Sequence, residues 1–519
     1  MGGTAEPATA RRRGPNGFRT AFVGLCAAAT TAAGLALPAA ATAADAGADA
    51  PTVYIASDST AQTYDSYYAP QTGWGQVIDQ FFSDDVTIAN HAIGGRSSRS
   101  FIEEGRLDAI LDEIQPGDYL LVQFGHNDGT VSRPERYTPP EDYKEYLRED
   151  YIAGALARGA TPVVVTPVSR RTFDVRTESY APSFPAYEQK AIEVAAEENV
   201  PLIDLAASSR AFLDSIGDQE ARSVFLHVPP GVYPNRPNGT IDDTHFQEYG
   251  ATEVARLIAE DIAALDLPLS RYVDLPRTPR KPGRPAAPTA ALVSHDGARL
   301  TWDAVPGAEL YRVQARKKGD ESSEFATIAS SPIPLADLRG LAESTRYELR
   351  VLAVNARGES VPSPKLLVTT READRRYDFG PAGAPLAEGY AEVTPETVHT
   401  PELGYGFTAP AGLTAGDSGP VADALARDYV VFPGGSHEFA VDVPNGTYAV
   451  TAYLGDAAAT AARTGFILEG GDRGQVIPAH TQVAQHTFPL VQVRDGRLSV
   501  VLYGASAHLN GLELSRVGD

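Results

Sequence analysis

Cysteine, methionine and tryptophan are almost missing from these 519 residues, with one, one and two of each. The lone Cys26 falls inside an N-terminal apolar run, so the chain beyond it has no thiol. Disulfide scaffolding and thiol chemistry are thereby excluded for that part, which must be held by its cores alone. Basic residues are also short: 44 Lys and Arg face 67 Asp and Glu, a net charge of −23. That balance argues against nucleic acid or an anionic membrane as a partner and favours a soluble protein. The alanine-rich run at 21–39 is interrupted by threonines, follows Arg11, Arg12, Arg13 and Arg19, and precedes Ala41-Thr42-Ala43. A basic segment, an apolar segment and an A-x-A site in that order predict a secretory signal peptide cut near Ala43 and a secreted protein, rather than a retained anchor. Leu25 does not suit the position before a lipid-modified cysteine. Residues 1–43 hold four Arg and one Glu, so their removal takes the charge to −26.

A chain of this length is too long for one core, and two to four domains are expected. Over 51–275, short apolar runs ("TVYIAS", "VTIAN", "DYLLVQF", "TPVVVTP", "VPLIDL") alternate with amphipathic segments at 100–114, 141–157 and 184–198. Buried-type strands separated by helices predict a parallel sheet covered on both faces, with reacting groups at the strands' carboxyl ends. The segment 276–288, within "LPRTPRKPGRPAAP", predicts an extended, solvated linker. Residues 289–371 show alternating stretches such as "ELYRVQARK" and "TRYELRVLAVN" and predict a small β-sandwich. Residues 373–519 also predict an all-β domain, with Asn445-Gly446 as a hairpin turn.

Separated only by Asp58, Ser59 follows the strand "VYIAS", which would deliver its hydroxyl to the sheet's active edge. A serine needs a base and an electrostatic sink before it can attack a carbonyl. "NHAIGGRSSRSF" follows the second strand, and Gly94-Gly95 lets a backbone N–H approach a ligand closely. "FGHNDGT" ends the third strand and offers the Asn127 amide. "DDTHFQEYGA" carries Asp242 and His245, three apart, on one side of a helical turn or in a tight loop. A carboxylate beside an imidazole fixes its tautomer and stabilises the cation it becomes. Each segment alone reads more readily as a turn or cap; together they supply nucleophile, oxyanion donors and base in one domain. A rival serine, Ser418 in "AGDSGPV", lies in a glycine- and proline-rich loop without ordered His and Asp partners and reads as a turn residue.

These blocks resemble those of the SGNH/GDSL hydrolases, which carry Ser, Gly, Asn and His in this order. "STAQTYD", "QTGWGQ", "NHAIGGRSSRSFIEEGRLD", "GHND" and "DDTHFQEYGA" resemble the rhamnogalacturonan acetylesterases in particular. The one departure is Ser57-Asp58-Ser59 in place of Gly-Asp-Ser, which predicts a more constrained turn at 57. Residues 289–371 resemble a fibronectin type III module, with Trp302 and Tyr347 at its core-tryptophan and corner-tyrosine positions. Residues 373–519 are similar to the β-sandwich of pectin-degrading enzymes. The implied architecture is a three-layer, flavodoxin-like α/β hydrolase domain followed by two all-β sandwiches.

The resemblance implies a serine esterase with Ser59, His245 and Asp242 as triad and the N–H groups of Ser59 and Gly95 plus Asn127 as oxyanion hole. It calls for no metal and no cofactor. The expected partner is acetylated plant cell-wall polysaccharide, and the protein is expected to be a monomer. Arg96, Arg170 and Arg171, with Arg99 nearby, follow site strands and could pair with a uronate carboxylate. Tyr390, Tyr405 and Phe407 could stack on sugars, although core packing is the commoner role of sandwich aromatics. Competing expectations are a xylan acetylesterase, a lipase or thioesterase, and a polysaccharide-binding protein with a weak or inactive esterase domain. The polar, aromatic "QTYDSYYAPQTGWG" suits sugars better than an acyl chain.

Overall fold

Alternation along the central strands decides the layers. In β1 (Thr52–Ser57), Val53 and Ile55 enter one apolar cluster while Tyr54 and Ala56 enter another on the opposite face. The same division recurs in β3 (Tyr119–Gln123), with Leu121 opposite Leu120 and Val122, and in β4 (Thr161–Val165), with Val163 and Val165 opposite Val164. With β2 (Thr87–Asn90) and β5 (Leu202–Ile203) these strands form a parallel sheet in the order β2-β1-β3-β4-β5. This is the expected flavodoxin-like α/β layer, and every fully buried Val or Leu in it contributes about 1.5–3 kcal/mol. The computed structural model describes residues 50–518 apart from 175, 276–279, 321, 422 and 462. The signal-peptide reading of 1–43 and the first four residues of the expected linker lie outside them.

The expected helix over 100–114 is two helices, Ser98–Glu103 and Arg106–Glu113, broken where Gly105 turns to φ 71°. That over 141–157 continues through a π-helical stretch, Leu147–Ile152, and that over 184–198 is Pro185–Glu197. Beyond the parallel sheet, β6 (Phe225–Val228) and β7 (Thr240–Gln247) pair antiparallel, with the short strand Gln71–Thr72 on the far edge of β7.

From 280 to 288 the linker forms neither helix nor strand, and most of its residues are exposed, but its prolines are not. Pro282, Pro285 and Pro288 are buried, and the Arg280 carbonyl accepts from Asn355 Nδ2 (2.9 Å). The next sandwich packs Trp302 against Tyr311 at 5.4 Å, and Tyr347 Oη accepts from the Ala342 N–H at 2.9 Å. The last region holds two five-stranded sheets and a three-stranded one. Asn445-Gly446 is not a hairpin turn there. Ser436–Asp442 pairs with Arg497–Tyr503, whereas Gly446–Gly455 pairs with Val483–Val493 and Gly511–Gly518, so the turn passes the chain from one sheet to the other.

The three regions form a single compact unit, Ala50–Asp519. Arg312 bridges to Glu220 through Nε and Nη2 of one guanidinium edge (2.6 and 2.9 Å), and Arg299 reaches the Pro230 carbonyl. His295 meets Ser515 and Glu513, and Asp296 accepts from Thr451 and Gln485. Strand Gly471–Val476 of the last region packs against β7. Gly471 permits that approach, since a Cβ there would lie 2.6 Å from Asn238 Nδ2. Among the described residues no helix is long and apolar enough to cross a membrane.

Candidate active site

Three parallel strands and the antiparallel β7 converge on one point. Ser59 follows β1, and its Oγ lies 2.9 Å from His245 Nε2; His245 Nδ1 lies 2.7 Å from Asp242 Oδ2. Asp242 and His245 do not sit on a helical turn. They lie within β7, where the pairing with β6 jumps from Asp242 to Phe246. Inside this bulge the N–H groups of Thr244 and His245 both donate to Asp242 Oδ1 (2.8 and 3.0 Å), curling the strand so that imidazole and carboxylate face each other. Burial would raise the Asp242 carboxyl, but the hydrogen bond and charge of His245 and the two N–H donors outweigh it and hold it at about 2.

Gly94-Gly95 follows β2 and is stitched to β1 by the Ile93 N–H to the Ser57 carbonyl (3.1 Å). A Cβ on Gly94 would lie 3.4 Å from Ser59 Cβ, and Gly95 has φ 81°, a conformation that favours glycine. Asn127, in the turn after β3, donates to the Arg96 carbonyl at 2.8 Å and has only a long 3.4 Å approach to Asp58 Oδ2. The second amide hydrogen is thus held only by that long bond, which an incoming oxygen could displace. Ser57 is an ordinary extended residue at the end of β1, so the expected constraint is absent. Its Oγ donates to Gln123 Oε1 (3.1 Å), which also accepts from Trp74 Nε1 (2.9 Å). Trp74 is accordingly core rather than a sugar platform. Tyr67 and Tyr68 of the same stretch are 69% and 43% exposed. Tyr68 also packs on Tyr64, whose hydroxyl donates to the Ser59 carbonyl.

The arginines divide. Arg96 braces the glycine loop from behind, held by Glu104 (3.1 Å) and the Gly94 carbonyl (2.7 Å). Arg99 donates to the carbonyls of Pro134 and Tyr137. Arg171 is paired with Asp218 and Asp243 on the other side of β7. Arg96 and Arg171 are thus committed within the protein and do not offer the free guanidinium expected of them. Arg170 forms no ion pair among the described residues; it lies over the Phe184 ring at 4.8 Å. Burial lowers its pKa while Asp58 and Asp242 pull upward and Arg463 of the last region and Arg136 push down, so four site-side charges share one field. Arg136 was not singled out in the sequence; a Cβ on Gly95 would lie 3.5 Å from its Nη1. Nothing local marks it, because it reaches the glycine loop from a separate turn.

Asp128 was missed as well. It accepts from Ser98 N–H and Oγ (3.0 and 2.6 Å) and from the Gly125 N–H (3.0 Å), and so locks the "GHND" turn to the helix after the glycines. Burial pushes it up to about 6. Asp58, fully buried, is also raised by burial, against the hydrogen bonds from Thr60.

In the last region, Phe407 is 0% exposed within an aromatic core and cannot meet a sugar. Tyr405 is half-buried against Tyr377 (4.8 Å), and the Tyr390 hydroxyl is bonded to Glu513. Core packing claims Phe407, whereas Tyr390 and Tyr405 each remain partly exposed. Ser418 donates to Asp456 (2.8 Å).

This parallel sheet, with serine, glycine, asparagine and histidine brought together at its carboxyl edge, defines the class. The chain belongs to the GDSL-like lipase/acylhydrolase family, whose model matches residues 58–237, and it is a carboxylic ester hydrolase of the rhamnogalacturonan acetylesterase-like kind. Residues 283–369 match the fibronectin type III domain, and 375–509 match the beta-agarase/YXIM esterase-like, galactose-binding domain-like family. Two Bacillus subtilis (strain 168) proteins are each 44% identical: the probable rhamnogalacturonan acetylesterase YesY over 222 residues (43% of this chain, 96% of YesY), and the rhamnogalacturonan acetylesterase RhgT over 223 (43% and 93%). A crystal structure of B. subtilis YxiM is 30% identical, covers 41% of this chain and 56% of its own, and superposes with a TM-score of 0.36. The protein is a carbohydrate acetylesterase.

Proposed function

We propose that this chain is an exported rhamnogalacturonan acetylesterase working through an acetyl-serine intermediate. The observation that carries the mechanism is the 2.9 and 2.7 Å relay from Ser59 through His245 to Asp242. The polymer is the one named for both 44% identical relatives. His245 Nε2 takes the Ser59 proton as Oγ attacks the acetyl carbonyl, and Asp242 stabilises the imidazolium. The N–H groups of Ser59 and Gly95 and the Asn127 amide receive the oxyanion. Collapse expels the sugar hydroxylate, which takes the proton from His245. Water, deprotonated by the same nitrogen, then attacks the acetyl-serine and releases acetate.

Net charge opposes an acidic polymer, but screening beyond roughly 10 Å leaves the local field in charge. Arg136 and Arg170, uncommitted beside the site, suit a uronate carboxylate, and exposed Tyr67 and Tyr68 suit sugar rings. Acetate release tests the reading: acetylated rhamnogalacturonan should exceed acetylated xylan and a long-chain ester in kcat/KM. Equal rates on the two polymers would remove the pectic assignment, and preference for the long-chain ester would remove the carbohydrate one.

A further inference from the structure

Behind the catalytic strand lies a cavity of about 430 Å³, walled by the hydrolase domain, the middle sandwich and the last sandwich together. That volume falls within the roughly 300–1,000 Å³ of small-ligand pockets. Its lining includes Arg171, Arg222, His227, Arg339, Arg473 and His486. The two carboxylates on its wall are already satisfied. Asp243 is held by His227 (2.7 Å) and Arg171 (3.1 Å), and Asp337 by Nε and Nη2 of Arg299 (2.6 and 2.8 Å). Arg339 and Arg473 have no ion pair among the described residues, and the nearest carboxylate to Arg222 is Asp218 at 3.6 Å. Arg473 is only 8% exposed and spends Nη2 on the Leu490 carbonyl (3.2 Å), while its Nε is buried without a partner.

Charge left unpaired in an enclosed site is costly unless something pairs it. Here guanidinium groups from all three regions point into one space, a geometry that matches a planar carboxylate with paired N–H donors. Asn238, Gln475 and Gln485 add amides on the same walls, suited to hydroxyls, beside the apolar Pro230, Pro332 and Pro489. The mouth is marked by Ile477, 56% exposed, and by Arg222, whose side chain is 52% exposed.

We infer that this three-way junction is a second, non-catalytic binding site for a carboxylate-bearing sugar. It is separate from the cleft that holds Ser59. Asp243 lines the cavity, whereas Ser59, Asp242 and His245 do not. The choice of a uronate rests on the proposed function; the anion site does not.

Binding of a galacturonate disaccharide, measured by calorimetry on the full chain, tests this with two variants. Arg339→Gln/Arg473→Gln should weaken binding at least 10-fold while hydrolysis of a small neutral acetyl ester stays unchanged, and Arg170→Gln in the cleft should leave that cavity binding in place. The opposite pattern, with binding lost in Arg170→Gln and kept in the double variant, would overturn the second site. Inorganic phosphate bound in competition, with no uronate bound, would overturn the ligand class. If the double glutamine variant does not fold, Arg339→Lys/Arg473→Lys replaces it. Forked recognition predicts several-fold weaker binding there, and wild-type affinity would overturn the proposal.

Discussion

A serine hydroxyl at its ordinary acidity is a poor nucleophile, and Ser59 differs from other strand-end serines through what faces it. Asn127 is the most separable of those groups, because its amide is already oriented by the Arg96 carbonyl before substrate arrives. Asn127→Ala should lower kcat by about 10²–10³-fold with the fold retained; a near-normal kcat with an unchanged circular dichroism spectrum would remove it from the oxyanion hole. Asp242 is held at about 2, below its ordinary 3.8. A depressed carboxylate contributes stability above the ordinary value and loses it as pH falls through the lowered one. Asp242 should therefore stay ionised across the working range and add no acid limb to kcat/KM until pH approaches 2. Asp242→Asn should cost on the order of 10⁴ in kcat, and a loss under 10-fold would show that His245 is positioned without it.

At the scale of elements, the site depends on two irregular pieces of backbone: the bulge in β7 and the left-handed glycine after β2. The bulge converts a strand with alternating side chains into one that presents Asp242 and His245 together. Gly95 at φ 81° aims the glycine loop past Ser59. Gly95→Ala should cost about 1–2 kcal/mol in backbone strain and relax the loop away from that conformation. Its kcat should fall while KM for a small acetyl ester changes little, and unchanged kcat would show that this N–H takes no part. Asp128 explains why two loops from different strands hold register, since its carboxylate bonds Ser98 and Gly125 at once.

Across the whole molecule, the two sandwiches are joined to each other and to the hydrolase domain through polar contacts. One of these contacts, His295, responds to pH. Burial lowers it, but Glu513, at 2.8 Å, together with Asp296 raises it above the ordinary 6.5. A histidine raised in the folded state contributes stability that is complete below the ordinary value and is lost as pH rises through the raised one. Glu513 is lowered, its burial overcome by His295 and the Tyr390 and Tyr453 hydroxyls, so its share is lost instead as pH falls below the ordinary carboxylate range. Docking of the last sandwich on the middle one should be firmest between these limits. In calorimetric scans, raising the pH from 6 to 9 should separate a lower-melting transition, and His295→Ala should abolish that pH dependence. A pH-independent wild-type scan would remove His295 as the contact responsible.

The order Ser, Gly-Gly, Asn, Asp-x-x-His and the doubly apolar strands were readable in the chain, because strand periodicity and strand-end chemistry are local properties. So was the class of fold. Pairing partners were not. Arg96, Arg170 and Arg171 look alike in sequence, yet carboxylates distant along the chain, or close only through the fold, occupied two of them. Arg136 reached the site from a turn with no marking of its own. Phe407 and Trp74 were drawn into cores because an apolar surface waited for each. The interdomain cavity is the extreme case. Its arginines come from three regions of the chain, so its charge exists only once those regions are packed against one another, where the low dielectric makes each unpaired guanidinium count.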